Sequence, residues 1–190
     1  MIVIRHGQSE FNVRFAETRT DPGIEDPHLT EIGRQQIEAG GRFIEQAYRG
    51  RLTRILTSPY TRTLQSAQIL ADMLGLPVEV SVDVGEHAHF ACDVGTTRSL
   101  LEQNWRHLDF GDLAEVWWPS REEEAEVDRR AMKFRARMVE DRRWPETLLV
   151  SHWGFIRSLT GHRVPNAAVL EFDPTHPHPA GAEVVRLEHV

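Results

Sequence analysis

Short apolar runs alternate along this chain with stretches of helical periodicity, and that alternation limits the fold more than any other feature. Ile2-Val3-Ile4 opens the pattern with three β-branched residues in a row, which reads as a short buried strand. Arg54-Ile55-Leu56-Thr57, Val78 to Val82 and Thr147 to Ser151 read as further strands, with a last one near Glu183 to Leu187. Thr30 reads as the N-cap of a helix running through Tyr48, whose apolar positions Ile32, Ile37, Ile44 and Ala47 recur at helical spacing. Gly40 and Gly41 would weaken that helix unless something packs close against it. Ser58 followed by Pro59 reads as an N-cap with proline at the first helical position, and Gly75 with Pro77 closes that helix. Ser120 with Glu123 reads as a capping box before a helix whose apolar face is Val127, Ala131, Phe134 and Met138. Thr97 to Trp105 reads as a helix, and a short one follows His152 through Leu159. Residues 13–28, with Asp21-Pro22-Gly23 and Asp26-Pro27, read as loop, as do residues 173–179. Strands alternating with helices, without repeats or linkers, predict one α/β domain over residues 1–190 with a mostly parallel sheet. Local sequence leaves the strand order open.

Composition closes off several classes. At 190 residues the chain supports one substantial core. No apolar run approaches the ~20 residues needed to cross a bilayer, and no basic leader with an apolar stretch opens the sequence. Cys92 is the single cysteine, which excludes an intramolecular disulfide and fits a reducing cytosol, so a cytoplasmic location is expected. A net charge of -7 argues against nucleic acid or an anionic membrane as partner. Oligomeric state leaves no signature.

The chemistry sits at strand ends, where open α/β sheets bind their ligands. The first junction carries Arg5 and His6, with Gly7 expected to let the backbone approach a ligand. The second carries Arg62, in the first turn of a helix whose N-terminal amides already favour an anion. The third carries His152. Taken singly, a histidine at a strand end reads as a hydrogen-bonded core residue and an arginine on a first helical turn as a solvated one. If the three strands are neighbours, these four side chains meet, and such a cluster makes sense around a phosphate-like anion.

Arg5-His6-Gly7 with Asn12 resembles the signature of the histidine phosphatase superfamily, also called the phosphoglycerate mutase-like family. Asp26 to Thr30 with Gly33, Ser58-Pro59 through Arg62 to Ala67, and Val150-Ser151-His152-Trp153-Gly154 resemble further family segments in the family's order. The resemblance implies a three-layer α/β/α sandwich and a phosphoryl-transfer site. His6 would be the nucleophile, with its second nitrogen held by a backbone carbonyl such as that of Gly7. Arg5, Arg62 and His152 would bind the phosphoryl oxygens, and Gly7, Ser9, Asn12 and Trp153 join them as expected phosphate- or substrate-binding residues. Glu86 occupies the position of the proton donor, with Asp83 as the alternative and His87 as a substrate contact. No metal and no cofactor are implied.

The implied activity is a metal-independent phosphomonoesterase acting through a phosphohistidine on a small phosphorylated metabolite. The alternatives are phosphoglycerate mutase-type transfer and a non-catalytic module that binds a phosphorylated ligand. Residues 83–119, which hold Trp105, Trp117 and Trp118, are placed to act as a lid that selects substrate. Arg14, Arg19 and Arg98 are candidates for a second anionic group. Glu86, His87 and His89 with His176 and His178 offer zinc ligands, but they lack the helical H-E-x-x-H spacing, and the tail histidines read as surface loop. Cys92 reads as a small buried residue.

Overall fold

In the computed structural model, which describes residues 1–187, the apolar runs become strands β1 (Ile2–Arg5), β2 (Arg54–Thr57), β3 (Val78–Val80) and β4 (Thr147–Ser151), joined by β5 (Val169–Phe172) and β6 (Ala182–Arg186). They form one six-stranded sheet in the order β3-β2-β4-β1-β5-β6. β4 lies between β1 and β2 and runs parallel to both, and β3 is parallel to β2, while β5 and β6 extend the sheet antiparallel. Six helices accompany it among the described residues: α1 (Glu10–Thr18), α2 (Glu31–Tyr48), α3 (Thr61–Leu74), α4 (Arg98–Asn104), α5 (Glu124–Glu140) and α6 (Trp153–Thr160).

The continuous apolar runs of the central strands follow from burial on both faces. Ile2, Ile4, Ile55, Leu148 and Val150 point to one side, against Ile37 and Ile44 of α2 and Ala67 and Leu70 of α3. Val3, Leu56 and Leu149 point to the other, against Ala131, Phe134 and Met138 of α5 and Phe155, Ile156 and Leu159 of α6. The result is the three-layer α/β/α sandwich. Gly40 and Gly41 have the close packing they required: a Cβ would stand 2.9 Å from Ile4 Cδ1 at the first and 2.8 Å from Met73 Sδ at the second.

Several local readings are corrected. Residues 13–18, read as loop, continue the helix α1 that starts at Glu10, because Ser9 and Asn12 make a capping box, Asn12 doing the work usually given to Glu or Gln. Ser58 is not the cap of α3, which begins at Thr61 behind Tyr60; the Ser58 hydroxyl is turned to Thr63 and His152 instead. Ser120 lies ahead of the α5 box, which Glu123 and Glu126 form. Strand β3 ends at Val80, since Ser81 accepts from the Asp83 amide and starts a 3-10 turn over Val82–Val84. Strand β5 was not expected: its four residues take their state from the available edge of β1.

Candidate active site

Because β4 separates β1 from β2, the three strand ends that carry chemistry are adjacent, and the condition left open in the sequence is met. The His6 amide donates to Ser151 O at 3.0 Å, and the rings of His6 and His152 meet edge to face with centroids 5.2 Å apart. His6 Nδ1 lies 2.7 Å from the carbonyl of Gly7, which holds the ring proton on Nδ1 and leaves Nε2 with its lone pair. Burial, then the fields of Arg62 and Arg5, hold the His6 pKa well below the usual imidazole range. His6 is therefore neutral at neutral pH, with an unprotonated Nε2.

The two arginines are fixed from behind. Arg5 Nη1 donates to Val164 O at 2.9 Å, while its buried Nε has no partner. Burial and, in the same direction, Arg62 lower the Arg5 pKa to about 10, against Glu86, so the cation survives. Arg62 donates to Cys92 O at 2.8 Å and to Asp93 Oδ1 at 3.3 Å, and its guanidinium lies 4.6 Å from the Tyr60 ring centre. Burial opposes its charge, but Cys92, Asp93 and Glu86 together raise its pKa. A buried, permanently charged fork of this kind can recognise a planar array of anionic oxygens.

His152 is fully buried. Its Nε2 lies 2.6 Å from Ser58 Oγ, which in turn lies 2.7 Å from Thr63 Oγ1, while its Nδ1 has no partner. Burial, then Arg62 and His6, keep its pKa well below the usual range.

Glu86 reaches the same cleft from the segment after β3. Its Oε1 accepts from the amides of His87 at 2.9 Å and Gly154 at 2.7 Å. Burial, then Asp93, raise its pKa, against Arg62, the His87 amide and Arg5. A Cβ on Gly154 would stand 2.6 Å from that oxygen, so the glycine is what admits the carboxylate. Asp83, the alternative donor, is turned to an ion pair with Arg137 and does not line the cleft.

The cleft has a volume of about 700 Å³ and is also lined by Ser9, Asn12 and Trp153. The Ser9 hydroxyl is spent on the α1 cap, donating to Asn12 Oδ1 and accepting from the Asn12 amide. Asn12 Oδ1 accepts from Ser9 and from Asn166 Nδ2, bonds that leave its own Nδ2 unused. Gly7 is glycine for a different reason from the one expected: a Cβ would stand 2.2 Å from Gly33 O at the start of α2, and Gly7 does not line the cleft. His87 lines the cleft, but its Nε2 is bonded to Glu122 O. Of the three loop arginines only Arg19 lines it; Arg14 pairs with Glu17 and Arg98 with Glu102. Arg121 and Arg157 line it unforeseen, as does Asp93, whose Oδ2 accepts the amides of His89 and Phe90 while Oδ1 meets Arg62. Only the tertiary position of Asp93 marks it, since a lone aspartate after a cysteine carries no local signal. Burial raises the Cys92 thiol pKa, which makes it a poor nucleophile. His176 sits beside Asp173 in the β5–β6 connection, outside the lining of the cleft. Among the described residues no group of three or more His, Cys, Asp or Glu is arranged to hold a metal ion, and no helix is long and apolar enough to cross a membrane.

Comparison with known proteins gives the chain's relatives and its family. A probable phosphoglycerate mutase, GpmB, of Yersinia enterocolitica is 29% identical over 155 residues, 80% of this chain and 68% of that protein. The bifunctional protein Rv2228c of Mycobacterium tuberculosis is 28% identical over 153 residues, 80% of this chain and 40% of its own length, so the chain spans less than half of that relative. The mycobacterial glucosyl-3-phosphoglycerate phosphatase Rv2419c in complex with VO3 has the same fold, with a TM-score of 0.66 at 20% identity over 100% of this chain and 99% of that one. A phosphoserine phosphatase variant from Entamoeba histolytica in complex with phosphoserine shares the fold too, with a TM-score of 0.62 at 18% identity over 97% and 94% of the two chains. The family model for the histidine phosphatase superfamily (branch 1) matches residues 1–189, and this chain belongs to that superfamily.

Proposed function

We propose that the cleft hydrolyses a small phosphate monoester through a phosphohistidine on His6, without a metal ion or cofactor. The observation that carries the reading is the neutral His6, its Nδ1 proton held by Gly7 O and its Nε2 left available beside the half-buried Arg5 and the buried Arg62. In the first step Nε2 attacks phosphorus, the bond to the leaving oxygen breaks, and the Glu86 carboxyl gives its proton to that oxygen. In the second, the Glu86 carboxylate takes a proton from water, whose oxygen attacks phosphorus and releases Nε2 and inorganic phosphate. Arg5 and Arg62 offset the charge on the phosphoryl oxygens throughout. In this reading His152 is the fourth ligand: we assign Ser58 as the donor to its Nε2, which puts the ring proton on the partnerless Nδ1 for a phosphoryl oxygen to accept. Asn12 Nδ2 is the remaining donor at the rim.

The segment 83–119 acts in this reading as the specificity element of a single domain, since it brings His87, His89, Phe90 and Asp93 to the cleft. The protein would work in the cytoplasm. The likeness to phosphoglycerate mutases supports a second reading, in which the phosphohistidine returns its group to a bound acceptor instead of water. Assay of EDTA-washed protein with an aryl phosphate tests the first reading. Release of inorganic phosphate by wild type and a loss of at least about a thousand-fold in His6→Ala are expected. Activity that needs added metal, or that survives in His6→Ala, contradicts it. Phosphate transfer to an added acceptor without net release favours the mutase reading.

A further inference from the structure

The cleft extends well beyond what a phosphoryl group fills, and its outer wall is aromatic. Phe11 and Phe15 of α1 stack with centroids 5.4 Å apart and planes 13° apart, and Phe90 packs on both, at 5.6 Å from Phe11 and 5.3 Å from Phe15. All three line the cleft; Phe11 is buried, whereas Phe15 and Phe90 are left half-buried there. Trp153 presents a half-buried indole to the same space.

Several polar groups around that wall are committed within the protein, while Arg19 and Arg121 stand exposed at the rim of the cleft. Ser9 and Asn12 Oδ1 close on each other, and His87 Nε2 is bonded to Glu122 O. Asp93 accepts two amides besides meeting Arg62, and both Arg157 Nη atoms lie 3.1 Å from Glu124 Oε1. A sugar must regain a hydrogen bond for each hydroxyl it desolvates, and this wall offers few. A flat apolar ring needs no such partners and gains from aromatic faces.

Building on the phosphomonoesterase reading, we propose that the substrate class is a phosphate monoester whose leaving group carries an aromatic ring, seated against Phe15 and Phe90. Calorimetric binding of the non-hydrolysable benzylphosphonate and propylphosphonate measures the ring's contribution without turnover. Benzylphosphonate is expected to bind wild type roughly ten-fold more tightly, and Phe15→Ala or Phe90→Ala to bring the ratio close to one. Phe15→Leu, which keeps apolar bulk without the flat face, should also lose the ratio, which separates ring recognition from a packing role for Phe15. Equal affinities in wild type overturn the proposal. So does a ratio that persists in all three variants, or tighter binding of the phosphonate analogue of glucose 6-phosphate. Hydrolysis of benzyl phosphate and propyl phosphate is followed in parallel. Ring-selective binding without any turnover contradicts the hydrolytic reading alone, while turnover without ring-selective binding contradicts the substrate class alone.

Discussion

At the scale of single residues the site separates charge by environment. Two histidines are kept neutral by burial among arginines, while the Glu86 carboxyl in the same cleft is pushed towards its protonated form. The proposed roles make Glu86 the source of the alkaline limb of activity: it must carry a proton in the first step, so rates on alkyl esters fall as pH rises through its raised pKa. In Glu86→Gln that limb should vanish, alkyl phosphates should turn over at least about a hundred-fold more slowly, and p-nitrophenyl phosphate should give a burst of nitrophenol followed by slow turnover. Steady-state and stopped-flow rates across pH check this; an unchanged alkaline limb would assign the proton to another group. Ser58 acts one atom further back. Ser58→Ala should leave the fold intact, lower kcat roughly ten-fold with little change in KM, and shift the 15N resonances of His152 towards the other tautomer. A lower kcat with unaltered His152 resonances would remove Ser58 from the account. The Ser58–His152 contact was not legible in the local sequence, where Ser58 read as a helix cap; its partner His152 is 94 positions away.

At the scale of elements, what could be read was what neighbours in the sequence determine. Strands β1, β2 and β4 announce themselves by the unbroken apolar runs Ile2-Val3-Ile4, Ile55-Leu56 and Leu148-Leu149-Val150, which burial on both faces requires. Helices α2, α3 and α5 carry apolar stripes long enough to outweigh local ambiguity. Strand β5, by contrast, is four residues whose state depends on the edge of β1, and α1 is capped by an asparagine in a place where glutamate or glutamine is the usual sign. The Gly7–Gly33 approach joins the loop after β1 to the start of α2, and it was misread as ligand approach because a glycine beside a histidine at a strand end suits either cause. Gly7→Ala tests the packing explanation. Thermal unfolding should show a loss of about 1–3 kcal/mol, and Gly33→Ala, with a Cβ 2.0 Å from Gln8 O, should behave alike. Full stability in both variants would contradict it.

At the scale of the whole molecule, the strand order explains why separate motifs form one site. Placing β4 between β1 and β2 sets His152 beside His6 and brings the start of α3 alongside, so the four-residue cluster follows from topology once the order is known. The same burial links the site to stability. His6 and His152 stay unprotonated in the fold, whereas imidazoles of the unfolded chain titrate near 6.5. The unfolded state therefore binds more protons below that pH, and the stability contributed by the neutral pair, fully present above about pH 6.5, is lost as pH falls towards the depressed pKa values. Denaturant unfolding should show wild type weakening between about pH 7 and 5, with a smaller loss in His6→Ala; parallel slopes would contradict the neutral His6. The most direct measurement is intact-protein and peptide mass spectrometry of Glu86→Gln quenched in base during turnover of an aryl phosphate. A single phosphoryl group on His6, absent from the His6→Ala, Glu86→Gln double variant, is the expected result; a phosphoryl group on another residue, or none during turnover, would contradict covalent catalysis by His6.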